Sequence, residues 1–395
     1  MAREAVKKIL KNDTWRVTLD PEQLTRSLPH IPTGSLVIDY LIGGEANSFG
    51  VAPCPGLPRG RITQLWGHES AGKTTLALTA AATVCNAGGT VLYVDWENDI
   101  VPDYAAALGV PIDDPERFEL VQPDSLEDGM KIIKAYVLAG VDLVVIDSVG
   151  AAVPQAIRDR GADEAGEQQR VGLNAQRWSE FLPDIKADIA KHKNALLGIS
   201  QIRQKMASGP KMGNGPSTQP QGGEAWKFYS ALRLELRRIQ NEMSNTVYNP
   251  LTHKKEGRVV GGIIKAKVVK CKLSKSQGRE ELFYIRWGEG IDDLRSVLEI
   301  ACSHRIIVKQ GSWFAYGEKK WQGMEQMRKF FQLNSPVFMD VVNQVRPHLT
   351  TKSTEPVDEV EDDEEDLSDV GGESSADLAS FVSSETGGDT DIGFE

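Results

Sequence analysis

The octapeptide Gly67-His68-Glu69-Ser70-Ala71-Gly72-Lys73-Thr74 matches GxxxxGK(S/T) at every fixed position, and it lies between an apolar run, Ile62–Trp66, and a segment long enough for a helix, Thr75–Ala87. That junction of strand and helix is the context the motif requires. Its glycines permit a tight backbone turn that aims N–H groups and a helix N-terminus at phosphate oxygens. Lys73 brings positive charge toward the outer phosphates of a nucleotide, the Thr74 hydroxyl can ligate Mg²⁺, and Thr75 completes the turn.

The surrounding sequence has the alternation such a loop needs. Ile62–Trp66, Val91–Val94, Leu143–Ile146 and Ala195–Ile199 are largely apolar, as strands buried on both faces are. Thr75–Ala87, Leu126–Leu138 and Asn174–Lys191 are long enough to be crossover helices. An α/β fold follows, with a doubly wound, mainly parallel sheet over residues 35 to about 240. Leu232–Leu236, Ile263–Val269 and Leu282–Trp287 alternate like antiparallel strands added at one edge. The row from Gly209 to Gly223, GPKMGNGPSTQPQGG, has neither period and reads as a functional or disordered loop. These breaks divide the chain into a short N-terminal helical segment (1–34), a core (35–290), a small α-rich domain (291–352) and a tail (353–395). The N-terminal segment docks on its own domain or on a neighbouring subunit, and sequence does not choose between them.

Charge separates the tail from the rest. Residues 353–395 hold 16 of the 56 acidic residues and no Lys or Arg, so the remaining 352 residues carry 45 basic against 40 acidic groups. The tail is too polar to bury a core and is expected to be disordered, acting either as a competitor for cationic surfaces or as a solubilising appendage. With 40% hydrophobic residues the chain as a whole is neither fibrous nor disordered. No apolar stretch reaches membrane-spanning length and the basic N-terminus lacks a signal-peptide core, so a cytoplasmic location is expected. Cys54, Cys85, Cys271 and Cys302 form no CxxC pair and are expected to be free thiols without zinc.

Three further positions suggest chemistry. Asp147 ends the run Leu143–Ile146, which suits a carboxylate in a Mg²⁺ shell at the carboxyl edge of a parallel sheet, although an aspartate there also fits a cap or turn. Glu97, two residues beyond the strand Val91–Asp95, can polarise an attacking water; equally, Asp95 or Glu97 caps the next helix. Gln201 follows Ala195–Ile199 and either senses a terminal phosphate or opens a loop.

In this order, GHESAGKTTL, VDWEN, LVVIDSV, ISQIRQK, GGEAWKFYSALRLELRR, KAKVVKCKL and WGEGID resemble the RecA family of homologous-recombination ATPases over residues 31–292, with the bacterial-type subgroup nearest and a phage-encoded version of it within the same reading. The resemblance implies a RecA-type P-loop ATPase core, a DNA-dependent ATPase with ATP and Mg²⁺ as cofactors. It also implies a filament on single-stranded DNA that pairs with homologous duplex DNA and exchanges strands in DNA repair and the damage response. Loading or single-strand-binding proteins are compatible partners.

By the same resemblance Glu97 matches a water-activating glutamate, Asp147 a magnesium-shell aspartate, Gln201 a glutamine coupling phosphate to the DNA loop, and Tyr104 a tyrosine packing on adenine. Lys270 and Lys272 match lysines that reach a neighbouring subunit's ATP, and Lys227, Phe228 and Arg233 match interface residues. Arg170, Val171, Arg177, Arg203, Lys205, Lys211 and Met212 fall in or beside two expected DNA-binding loops, 156–172 and 202–223. Several positions depart from the pattern: a longer Gly44–Pro55 loop, Val101 for an adenine-contacting aspartate, Met212 for an aromatic, Val171 for a methionine and Gln176 for an arginine. A hexameric helicase and a non-catalytic single-stranded-DNA scaffold are the alternatives. Intact Lys73, Thr74, Glu97 and Asp147 argue against the scaffold.

Overall fold

The computed structural model describes residues 25–159, 166–204, 218–249 and 253–350. The chain falls into two compact units, Met1–Lys352 and Ser353–Glu395, and the second lies outside the described residues, as does the expected helix within residues 1–24. The first unit opens with β1 (His30–Ile31), helix α1 (Leu36–Gly43) and β2 (Leu57–Pro58), followed by β3 (Arg61–Gly67) and α2 (Lys73–Asn86). Next come β4 (Val91–Asp95), α3 (Pro102–Ala107), β5 (Phe118–Val121), α4 (Leu126–Ala139) and β6 (Leu143–Asp147). After these run α5 (Gln155–Arg158), α6 (Glu167–His192), β7 (Ala195–Gln204), β8 (Thr218–Pro220) and α7 (Glu224–Tyr229). Two long strands, β9 (Leu232–Asn249) and β10 (Lys254–Cys271), precede β11 (Glu280–Arg286) and β12 (Gly290–Ile291).

The central sheet runs β12-β11-β10-β9-β3-β7-β6-β4-β5, with β8 paired to β7. From β9 to β5 every neighbouring pair is parallel, while β9, β10, β11 and β12 pair antiparallel at one side, as the alternating pattern predicts. Successive residues of a strand point to opposite faces, and the two cores follow that rule. Val91, Tyr93, Leu143, Val145, Ala195 and Leu197 pack with α1 and α2 on one face. Leu92, Val94, Val144, Ile146 and Leu196 pack with α4 and α6 on the other. Continuous apolar runs were needed because both faces are covered.

The last 58 described residues form α8 (Asp293–Ser303), a three-stranded antiparallel sheet β13 (Val308–Gln310), β14 (Trp313–Tyr316) and β15 (Lys319–Gln322), then α9 (Met324–Leu333) and α10 (Ser335–Thr350). The unit is mostly helical, as expected, and the small sheet is an addition to that expectation. Strands of three or four residues, tied by Gly311 and Gly317 at positive φ, are too short to display a period. The unit is joined to α1 by Asp293, whose carboxylate accepts from Ser35 Oγ at 2.8 Å and Leu36 N at 3.0 Å.

Two other expectations change. Helix α6 starts at Glu167, two turns earlier than the apolar pattern begins, so Arg170 and Val171 are helical and the first expected loop is shorter. Thr218–Pro220, inside the Gly/Pro row, pairs as β8 with Ile202–Gln204. The pairing partner is the far end of β7, which local composition cannot reveal. All four cysteines are free, and among the described residues no helix is long and apolar enough to cross a membrane.

Candidate nucleotide site

The carboxyl ends of β3, β7, β6 and β4 lie side by side, with Gly67 in register with Gln201 and Asp95 with Asp147. In parallel sheets ligands bind outside these ends. Between β3 and α2 the chain turns through Ser70 and Gly72, both at positive φ, so consecutive N–H groups face a common concavity. Helix α2 has Gly72 at its N-cap and no side chain bonded there, which leaves its terminal N–H groups for a ligand. Glycine is demanded at two points. A Cβ on Gly67 would lie 2.1 Å from the Leu236 carbonyl oxygen, and one on Gly72 2.2 Å from Ile285 Cδ1.

Lys73 is 7% exposed and donates to the His68 carbonyl at 2.7 Å; burial is the main cause that depresses its pKa, against the opposing charges of Asp147, Glu97 and Glu69. Thr74 Oγ1 donates to Asp147 Oδ2 at 2.8 Å, and the buried Tyr93 hydroxyl donates to the same oxygen at 2.8 Å. Burial lifts the Asp147 carboxyl to about 6, the two hydroxyls pulling back against it. A hydroxyl and a carboxylate oxygen 2.8 Å apart are the hard donors that Mg²⁺ takes. The residues therefore fit that ion.

Asp95 is buried and accepts at Oδ1 from Glu97 N at 3.0 Å and Asn98 N at 2.9 Å. It caps this turn rather than a helix, since α3 begins only at Pro102. Glu97, held by that turn, accepts at Oε1 from Gln201 Nε2 at 2.8 Å. On the far side of the phosphate loop, Tyr104 OH and Thr75 Oγ1 are 2.9 Å apart. A pocket of about 500 Å³ is lined by Ser70, Gly72, Lys73, Thr74, Thr75, Tyr104, Arg238, Trp287 and Gly288.

The geometry thus places Lys73, Thr74, Asp147, Glu97, Gln201 and Tyr104 around or beside the phosphate loop, and comparison with known proteins gives the family. A model of the RecA N-terminal domain matches residues 4–292, and one of the RecA C-terminal domain matches residues 295–350. The chain belongs to the RecA family. It is 38% identical over 351 residues to Protein RecA of Lactobacillus delbrueckii subsp. bulgaricus, covering 88% of this chain and 96% of that protein. It is 38% identical over 366 residues to Protein RecA of Enterococcus gallinarum, covering 92% and 96%. Protein RecA of Levilactobacillus brevis is 40% identical over 316 residues, covering 80% of this chain and 75% of that protein. Membership of the RecA family makes the chain an ATP-dependent recombinase, and neither a helicase nor a passive scaffold is favoured.

Other RecA-like positions lie apart from this pocket. Lys270 pairs in register with Arg233 toward the start of β9, whereas the phosphate loop leaves beside Leu236 farther along. Its ammonium donates to the Lys227 carbonyl at 2.6 Å, and partial burial together with Lys272, Arg233, Lys186 and Lys227 lowers its pKa. Phe228 beside it is 65% exposed, while Arg233 is buried and donates to Gln64 Oε1 at 2.8 Å. Among the DNA candidates, Arg170 donates to the Ala151 carbonyl at 2.9 Å and Val171 is exposed on α6. Arg177 is engaged by Glu127 at 3.0 Å and Glu180 at 3.1 Å. Lys205, Lys211 and Met212 lie outside the described residues, and of Arg203 only the backbone in β7 is described.

Sequence reasoning passed over Tyr93, Arg238, Trp287 and Gly288. Tyr93 carried a signal, being two residues before Asp95 and so on its face of the strand. Arg238 and Trp287 carried none, because they meet only through the β9-β10-β11 pairing.

Proposed function

We propose that this chain hydrolyses ATP to ADP and phosphate when filamented on single-stranded DNA, and that it uses the cycle to pair that strand with homologous duplex and exchange strands. One observation carries the reading: the Gln201–Glu97 hydrogen bond, 2.8 Å long. It joins a carboxylate beside the phosphate loop to β7, whose far end runs into the expected second DNA loop, 202–223. A change at that loop is thereby felt at the carboxylate, as DNA-stimulated hydrolysis requires.

Lys73 and the N–H groups of the loop and α2 bind and orient the β- and γ-phosphates. Glu97 accepts a proton from water as the water oxygen bonds to the γ-phosphorus. The bond from that phosphorus to the bridging oxygen breaks, and Lys73 offsets the charge that collects on the departing ADP. Thr74 and Asp147 would hold Mg²⁺, which when bound neutralises phosphate charge. Tyr104 packs on the base.

Lys270 and Lys272 are supplied to the neighbouring subunit's nucleotide, and Phe228 and Lys227 to the contact between subunits. Their separation from this chain's own phosphate loop and the exposure of Phe228 support that reading. Arg170, Val171, Arg177, Arg203, Lys205, Lys211 and Met212 are assigned to DNA contact, with phosphate neutralisation by the cations and base wedging by the apolar pair. The matched bounds 4–292 and 295–350 support the division into a core ending near 290 and a small domain following it.

The test measures strand exchange and phosphate release together. Exchange with homologous but not heterologous duplex, and hydrolysis that rises with single-stranded DNA, are expected. Duplex unwinding by closed rings, or DNA binding without turnover, would overturn the proposal.

A further inference from the structure

Three tryptophans stand in a row behind the turn that carries Glu97. Trp96, the residue before it, meets Trp178 of α6 edge-on with ring centroids 6.2 Å apart, and Trp178 meets Trp226 of α7 at 5.1 Å. Both ends of the row are seated on glycine. A Cβ on Gly129, inside α4, would lie 2.1 Å from Trp96 Cζ2, and one on Gly198 of β7 would lie 2.3 Å from Trp226 Cη2. Glycine weakens the interior of a helix or strand relative to alanine, so these two bare positions are explained by the rings that fill them.

The row meets both expected DNA loops where they end. Helix α6 begins at Glu167, so the last residues of the first loop, Arg170 and Val171 among them, form its opening turns, and Trp178 lies about two turns beyond Val171. Trp178 is fully buried, and its indole donates to the Val149 carbonyl at 3.0 Å, as Asn174 Nδ2 does one turn earlier at 3.2 Å. The second loop ends at Gly222 and Gly223, where added Cβ atoms would lie 3.0 Å from Trp226 Cδ1 and 2.7 Å from Ala175 Cβ of α6.

At the other end the Trp96 N–H donates to the Asp147 carbonyl at 2.7 Å, and Asp95 holds the N–H groups of Glu97 and Asn98. The backbone of Trp96 therefore belongs to the nucleotide site while its ring belongs to the helices. The buried indole nitrogens of Trp96 and Trp226 have no hydrogen-bond partner among the described residues, whereas that of Trp178 has one. A buried donor left unpaired is a penalty that another packing of the same rings can relieve, so the row is not locked in this arrangement.

We propose that Trp96 is a positioning residue for Glu97, and that it carries the state of the first DNA loop, through α6 and Trp178, to the carboxylate that activates water. The route is separate from the Gln201 hydrogen bond, which serves the second loop. Pro183, the proline inside α6, lies beyond Trp178, so a displacement of the helix start reaches that ring through unbroken helix. The inference rests on the reading of Glu97 as the water-activating group and of residues 156–172 as a DNA loop.

The experiment measures phosphate release by the full chain with and without saturating single-stranded DNA, together with its intrinsic tryptophan emission. Trp96→Leu is expected to lower the ratio of DNA-bound to DNA-free kcat by about fivefold or more, with KM for ATP changed by less than about threefold; a 1 Å misplacement can cost roughly a hundredfold. Gly129→Ala keeps Trp96 but fills its seat, and alanine favours the helix, so this variant should fold and show the same fall. Trp96→Phe, which keeps an aromatic edge against Trp178, is expected to restore most of the ratio. DNA binding should change the emission of the unaltered chain, and a large part of that change should vanish in Trp96→Phe.

A ratio unchanged in both Trp96→Leu and Gly129→Ala, with DNA binding intact, would overturn the proposal. So would equal losses with and without DNA, which would make Trp96 core packing alone. If DNA does not stimulate the unaltered chain, the reading of DNA-coupled hydrolysis falls; an emission change that depends on Trp96 would then still sustain the link from α6 to this turn, and its absence would remove both.

Discussion

Replacing Glu97 by Gln tests the chemistry with the least disturbance to the fold. The amide is close to isosteric, and Asp95 still accepts from the backbone N–H groups of residues 97 and 98, so the turn that carries the side chain is kept. The bond with Gln201 also survives, because the new amide oxygen can accept from Gln201 Nε2 as the carboxylate does at 2.8 Å. What disappears is the capacity to take a proton from water. General-base contributions are typically about 100- to 10,000-fold, which corresponds to roughly 3 to 5 kcal/mol of barrier. Neither Lys73 nor Thr74 contacts Glu97 by a hydrogen bond, so ATP affinity should change by less than about threefold, within 1 kcal/mol. Phosphate release with saturating single-stranded DNA gives kcat, and equilibrium titration with nucleotide gives affinity. A drop in turnover with retained nucleotide and DNA binding is the expected outcome. Unchanged DNA-stimulated turnover would refute the assignment, and equal losses in binding and turnover would make Glu97 a structural residue.

Three further outcomes are expected. Lys270→Ala should weaken DNA-stimulated hydrolysis while leaving nucleotide binding to isolated subunits in place, and mixing it with Lys73→Ala subunits should partly restore turnover; no rescue at any ratio, with co-assembly verified, would refute supply between subunits. Burial, with a smaller contribution from Asp293, raises the Asp39 carboxyl from 3.8 to about 7, so the stability that goes with its protonated form is fully present below its unfolded value and is lost as pH rises through the native one. Asp39→Asn keeps an acceptor for Thr33 N, so its stability advantage in denaturant unfolding should widen across that window by about 2 to 4 kcal/mol, and a pH-independent gap would contradict the argument. Trp178, fully buried and packed edge-on against Trp96, Phe181 and Trp226, should cost about 3 to 5 kcal/mol when replaced by Ala, and a loss below 1 kcal/mol by the same unfolding measurement would show that this face of α6 is not the support it looks to be.

The sequence alone determined the parts of this protein whose signals are local. The phosphate loop needs eight consecutive residues, and strands buried on both faces appear as largely apolar runs at 62–66, 91–94, 143–146 and 195–199. Given parallel strands, Thr74 and Asp147 had to meet although 73 residues separate them, because both mark carboxyl ends of the same sheet. Tertiary structure decided what depends on register and strand order. Asp95 became a cap for the turn under Glu97, not for a helix, because the chain runs on to Pro102 before α3 starts. Thr218–Pro220 became a strand because β7 extends past Ile199 to receive it, and the small sheet of the C-terminal domain formed from segments too short to show alternation. Arg238 and Trp287 reached the pocket only because β9, β10 and β11 align across Gly262. Periodicity records which face of an element is buried, but the neighbour it is buried against is a choice made between distant segments, and one chain's local pattern holds no record of it.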